Sequence, residues 1–169
     1  METEVVYYSK YASTREIANG IGKRLGTDKI RDVREPGEIT GDLVIVGSGI
    51  YYEQPGKEIL RLLRDEEGRL KDREVALFVV CVAKETAFVR GVEVGGPLYL
   101  RRMEEALGRA PLAGKIFGGR MILSELEEKE RIIIESFHKR YDMPYQDVDI
   151  VSGNEVDDFF RDIKDALKL

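Results

Sequence analysis

Short, unbroken apolar runs alternate along this chain with longer stretches of helical period. Four runs predict strands: Val5–Tyr8, Leu43–Val46, Val75–Val82 and, more weakly, Lys115–Ile122. They are rich in Val, Ile and Phe and lack apolar/polar alternation, as expected of strands covered on both faces. Lys29–Val33 alternates imperfectly and predicts an edge strand. Ile17, Ile21 and Leu25, at four-residue spacing, predict a helix over 13–25. Ile59, Leu60, Leu62 and Leu63 predict a second, opening near QPGKE, and Pro97 opens a third. A fourth is predicted from about Ser124, where SELE offers a capping box, to about Tyr141. The fifth takes Asn154 as N-cap and turns Val156, Phe159, Phe160, Ile163 and Leu167 inward. This order predicts an α/β three-layer sandwich, a mainly parallel sheet with helices on both faces. No repeat or linker divides the chain, so residues 1–169 are expected to form one domain.

Composition removes several classes. The net charge is −5 and no Lys/Arg stripe occurs, so no nucleic-acid surface is expected. A single cysteine, Cys81, and a single histidine, His138, cannot build a disulfide framework or a Cys/His zinc site. A reducing cytoplasm fits that cysteine usage, and Cys81 at a strand end reads as a small buried hydrophobe. The start METEVVYY passes directly into a strand and does not read as a signal peptide. No apolar run approaches the ~20 residues of a membrane span.

In open parallel sheets, ligands sit beyond the carboxyl ends of the strands. After the first strand comes Ser9-Lys10-Tyr11-Ala12-Ser13-Thr14. Unpaired amides at the following helix start, its partial positive charge and the hydroxyls of Ser9, Ser13 and Thr14 make an anion seat suited to a phosphate. The plainer reading is that Ser13 or Thr14 caps the helix. Lys10 and Arg15 could add charge, although solvent-facing positions are favoured for both. After the next buried strand come Gly47, Ser48 and Gly49, then Ile50, Tyr51 and Tyr52. Of two adjacent tyrosines at a sheet mouth at least one faces out, where its ring can stack on a flat aromatic ligand. The alternative is a Tyr pair packed over the helix below. A third loop, Val80–Ala87, brings Cys81, Val82, Ala83 and Lys84, with free amides, to the same mouth.

A phosphate seat, an aromatic platform and a loop rich in backbone donors describe a flavin mononucleotide (FMN) pocket. Here SKYAST resembles the flavodoxin phosphate loop, approximately Ser/Thr-x-Ser/Thr-Gly-x-Thr, matching at Ser9 and Thr14 and departing at Tyr11 and Ala12. VIVGSGIYYEQPGKEILRLLR and the tail from FGGRM to FFRDI are similar to the flavodoxin-like branch that contains menaquinone-dependent protoporphyrinogen oxidase. The resemblance covers nearly the whole chain. It implies a flavodoxin-like fold, with five parallel strands in the order 2-1-3-4-5, and FMN as cofactor. The contacts it implies come from Ser9, Lys10, Tyr11, Ala12, Ser13 and Thr14, from Ser48, Gly49, Ile50, Tyr51 and Tyr52, and from Cys81, Val82, Ala83 and Lys84. It further implies an oxidoreductase moving electrons between a small substrate or quinone and a redox partner protein, with protoporphyrinogen oxidation as one specific case. A dedicated electron carrier, or a flavin-free interaction domain, is the alternative. Segment 123–153 is extra relative to a short flavodoxin. Its stripe of Ile133, Ile134, Phe137 and Tyr141 is expected to pack on the domain; a homodimer contact, a quinone site or peripheral membrane contact stays open. His138 beside it is expected at the surface.

Overall fold

The computed structural model describes all 169 residues. The core elements follow the order β1 (Thr3–Tyr8), α1 (Ala12–Leu25), β2 (Ile30–Asp32), β3 (Leu43–Tyr51), β4 (Gln54–Pro55), α2 (Lys57–Arg64) and β5 (Glu74–Cys81). A hairpin follows, β6 (Ala87–Val89) and β7 (Val92–Val94), then α3 (Gly96–Leu107), β8 (Gly114–Gly118) and β9 (Arg120–Met121). The chain ends with α4 (Glu128–Arg140), β10 (Val148–Asp149) and α5 (Asn154–Leu167).

The main sheet has the order β2-β1-β3-β5-β8 with all of these pairs parallel, the predicted 2-1-3-4-5 arrangement. The short β4 adds an antiparallel sixth strand on β3. Because side chains alternate across a strand, Val6, Val44, Val46, Leu77 and Val79 meet α2 and α3 through Ile59, Leu63, Tyr99 and Met103. Val5, Ile45, Phe78 and Val80 point the other way, to Ile17 and Ile21 of α1 and Phe159 and Ile163 of α5. Phe78, Phe117 and Phe159 pack edge to face, with centroids 5.7–6.4 Å apart, and lock α5 onto the β5–β8 end.

Several boundaries differ from the sequence expectation. β3 runs on past Val46 because Gly47, Ser48 and Gly49 keep their ladder to Phe78, Val79 and Val80 of β5. It then folds back at Tyr52 and Glu53, both at positive φ (51° and 61°). The fourth helix begins at Glu128, after a 3-10 turn at Leu123–Glu125, and the expected capping box does not form. The N-cap of α5 is Gly153 instead of Asn154. The β6–β7 hairpin has no counterpart among the predicted elements; it turns at Arg90 and Gly91, both at positive φ.

The predicted α4 stripe is only half covered: Ile134 and Tyr141 are half-buried, while Ile133 and Phe137 face solvent. Glu130 is the only buried residue of α4, while Ile132, Ile133 and Phe137 are 54%, 44% and 38% exposed. The helix is reached through the β9–β10 pair, which joins Met121 to Val148 and Arg120 to Asp149. Arg120 also reaches Glu16 of α1 at 3.0 Å.

Gly95, just before α3, has φ +116° and would drive a Cβ into the carbonyl of Glu85. Gly95→Ala should therefore cost about 3 kcal/mol or more, since backbone strain alone reaches 1–3 kcal/mol. Gly108 also has positive φ (+72°) but open space around it, so Gly108→Ala should cost only ~1 kcal/mol. Urea unfolding of the two variants checks the difference.

Candidate functional site

β1 delivers its carboxyl end straight into Ser9–Thr14, and the chain turns into α1 at Tyr11, whose backbone is extended (φ −117°, ψ 170°). No side chain caps α1, so the capping reading of Ser13 and Thr14 fails. The amides of Ala12, Ser13 and Thr14 have no acceptor in the protein. Ser13 and Thr14 are nonetheless buried. Three free amides and two hydroxyls at a helix start form a donor set suited to an anion.

Two further amides of the loop converge on one oxygen. Lys10 N donates to the Tyr51 hydroxyl at 2.7 Å and Tyr11 N at 3.4 Å. The Tyr51 ring stands edge-on to Tyr8 (5.8 Å) and tilted to Tyr11 (6.1 Å). A Cβ on Gly49 would lie 2.6 Å from the Tyr51 hydroxyl and 2.7 Å from Thr14 Oγ1, so Gly49 is what lets these groups meet. Tyr51 therefore folds onto the start of α1, while its neighbour Tyr52 is 57% exposed.

Other sequence candidates play different parts. Ser48 is fully buried; its hydroxyl donates to Gly49 O (2.7 Å) and accepts from Gly56 N (2.8 Å), so it braces the loop between β3 and α2. Ile50 pairs with Pro55 of β4. The registers Tyr8↔Ser48 and Gly49↔Val80 set the ends of β1, β3 and β5 side by side, so Cys81–Lys84 begins at the same edge. Val82 and Ala83 are exposed there, and Gly96 N donates to Ala83 O at 2.8 Å. Lys84 pairs with Glu155 of α5. Burial pushes the Cys81 thiol up to about 12, and Lys84 only partly offsets this, so at neutral pH it is an unreactive thiol. His138 is half-buried, with Nδ1 2.7 Å from Pro144 O.

Lys10 is not free in solvent. Its ammonium lies 2.7 Å from Glu130 and 3.0 Å from Glu127, and the Glu130 hydrogen bond holds its proton more firmly than usual. The Tyr11 hydroxyl also donates to Glu130, and Glu127 N donates to that hydroxyl at 3.2 Å. These bonds pin the start of α4 to the Ser9–Thr14 loop. Sequence reading missed Glu127 and Glu130. The only signal was the acidic run SELEEKE ahead of an apolar stripe, and a solvated face reads the same way.

On the far flank of the loop, Asp32 at the end of β2 binds Arg34 through Nε (2.8 Å) and Nη2 (2.7 Å). Burial would raise the Asp32 carboxyl, but the Arg34 hydrogen bonds and charge prevail and hold it below its usual range. Arg34 also donates to Ser9 O at 2.6 Å and lies 4.8 Å over the Tyr8 ring.

The flavodoxin domain family model matches residues 4–145. None of the curated proteins matches this chain in sequence. Among solved structures, a flavoprotein in complex with FMN from Lactobacillus acidophilus aligns at TM-score 0.51 and 15% identity, over 68% of this chain and 92% of that one. A WrbA-like flavodoxin from Agrobacterium tumefaciens aligns at 0.51 and 14%, over 98% and 95%. Rubredoxin oxygen:oxidoreductase from Desulfovibrio gigas aligns at 0.53 and 12%, over 99% of this chain but 37% of its own length. At these identities the structures speak for the fold alone. With the parallel 2-1-3-4-5 sheet and the match over residues 4–145, the chain belongs to the flavodoxin domain family.

Proposed function

We propose that this chain binds FMN and works as a flavoprotein that exchanges electrons with a small substrate, a quinone or a redox partner protein. The observation that carries the reading is the donor set of the first loop: free amides at Ala12, Ser13 and Thr14, with those of Lys10 and Tyr11 aimed at one oxygen. Family membership and the FMN complex of the Lactobacillus relative support the same cofactor.

When bound, FMN supplies the electron transfer itself. The chain's residues bind and orient it. The Ser9–Thr14 amides and the hydroxyls of Ser13 and Thr14 hold the phosphate, and the loops at Ser48–Tyr52 and Cys81–Lys84 border the ring. For the phosphate to take the seat, the Tyr51 hydroxyl must leave it. The ring then swings to the mouth, where it can stack on the flavin. Tyr51→Phe removes the competing oxygen and keeps the ring. FMN should bind this variant about three- to tenfold more tightly, the worth of one neutral hydrogen bond. Tyr51→Ala should bind more weakly and restore flavin fluorescence.

The exposed apolar surface of α4, together with Phe88 and Val92 of the hairpin (69% and 63% exposed), favours an acceptor met at the rim. A dedicated carrier for a protein partner is the second reading, and the same exposed surface serves it. No helix is long and apolar enough to cross a membrane. A cytoplasmic location is part of the proposal and rests on the single buried thiol. The test is the visible spectrum and extracted cofactor of the pure protein, followed by turnover with quinones and protoporphyrinogen. A colourless protein that takes up no added FMN would overturn the cofactor reading.

A further inference from the structure

A cleft of about 330 Å³ opens at the carboxyl ends of β1 and β2, on the flank of the phosphate loop opposite β3. Tyr7, Arg15, Asp32, Arg34 and Glu35 line it alongside the loop. The FMN site described above uses none of these side chains.

Two of them lack partners. Tyr7 is only 7% exposed, with its ring in the core beneath α1. Its hydroxyl makes no hydrogen bond to the protein. Every fully buried side-chain polar atom has a partner, so this hydroxyl reaches the cleft. Arg15, in the first turn of α1, is exposed and forms no ion pair. Asp32 is 8% exposed. Oδ1 accepts from Arg34 N and Nε and Oδ2 from Nη2, with the Ser9 backbone beside the carboxylate as well, and the two oxygens keep a lone pair for a further donor.

A phenol and a carboxylate side by side match the donor and acceptor needs of a sugar diol. Tyr7 and Asp32 are register partners on adjacent strands, which puts their side chains on one face. In dinucleotide-binding α/β folds, an acid ending the strand beside the phosphate-loop strand takes the ribose hydroxyls. Asp32 holds that place. The guanidiniums of Arg15 and Arg34 match a phosphate beside the ribose.

We propose that this cleft is a ribosyl-phosphate subsite adjoining the flavin phosphate. The chain then accommodates the adenosine phosphate half of FAD, or a separate adenosine nucleotide beside FMN. The proposal rests on the FMN reading for the position of the first phosphate.

The experiment titrates riboflavin, FMN and FAD into the protein by flavin fluorescence, and ADP into the FMN-loaded protein by calorimetry. It is repeated with Tyr7→Phe and Arg15→Ala, both checked for the wild-type circular dichroism spectrum. FAD should bind at least about threefold more tightly than FMN. Each variant should weaken FAD about fivefold and keep FMN within about twofold, as loss of a single polar contact predicts. ADP binding that the same variants weaken also supports the subsite and assigns it to a separate nucleotide. FMN binding with FAD no tighter and ADP not taken up would overturn the subsite and leave the FMN reading intact. Failure of every flavin would remove the FMN reading instead, and the ADP arm on the unloaded protein then decides the cleft: uptake sensitive to Tyr7→Phe keeps it and no uptake ends it.

Discussion

FMN should bind the Thr14→Val protein roughly ten- to a hundredfold more weakly than the wild type, while riboflavin changes by less than about twofold. Thr14 is 1% exposed, and valine matches its shape, so the fold survives and only the hydroxyl is lost. That hydroxyl stands where Gly49 leaves room, beside the oxygen of Tyr51 on which two loop amides converge. A hydrogen bond to a charged group is worth about 1.5–3 kcal/mol, and ~1.4 kcal/mol is tenfold in affinity. Riboflavin lacks the phosphate and has nothing there to lose. Parallel titrations of both ligands check this. Equal losses would show that the phosphate sits elsewhere.

The second large effect concerns the helix between β9 and β10. Replacing residues 124–146 by a short turn should leave FMN bound at least as tightly, yet change the rate with a quinone or protein acceptor by about tenfold or more, ~1.4 kcal/mol of barrier. The sheet does not depend on this segment. Met121 and Val148 already pair, so a turn can close between them, and α4 buries only Glu130. FMN loses no donor, because the segment contributes none to the loop, and Lys10 gains freedom when Glu127 and Glu130 go. The acceptor loses the Ile132, Ile133 and Phe137 surface. Stopped-flow reoxidation with several quinones and a protein acceptor measures the outcome. Weakened FMN binding in a folded protein would place the segment in the cofactor site. Unchanged rates with every acceptor would reduce α4 to an exposed appendage.

How legible this was in the sequence depended on the range of the interactions. Strand runs such as Val75–Val82 and helix stripes such as Ile17, Ile21 and Leu25 are local periodicities, and both appear in the structure within a residue or two. The loop donors of Ser9–Thr14 were legible because a strand-to-helix turn fixes its own amide directions. Tyr51 was singled out as an outward platform, but its inward pose was not foreseen, since that depends on Gly49 and Tyr8, whose closeness only the fold creates. Glu130 lies 120 residues from Lys10, and no pattern in SELEEKER announces such a partner. Asp32 sat in a run read only as an edge strand, with Arg34 just past its end, although an acid ending the strand beside the first loop was a usable signal. The α4 stripe was borne out only at Ile134 and Tyr141, because helical period reports amphipathicity, not how much of the apolar side is covered.

The pinning of Lys10 has a consequence for how the cofactor site responds to ionic strength. With two carboxylates around one ammonium, that corner of the loop is a net anion. In the proposed site a phosphate meets amide dipoles at contact distance, an attraction that added salt barely weakens. The long-range field it meets is repulsive, since the chain carries −5 overall, and that repulsion is what a screening length of about 10 Å at 0.1 M removes. FMN affinity should hold steady or rise slightly between about 50 and 500 mM salt, opposite to a phosphate site built on free lysines and arginines, which loosens as the counterions crowd in.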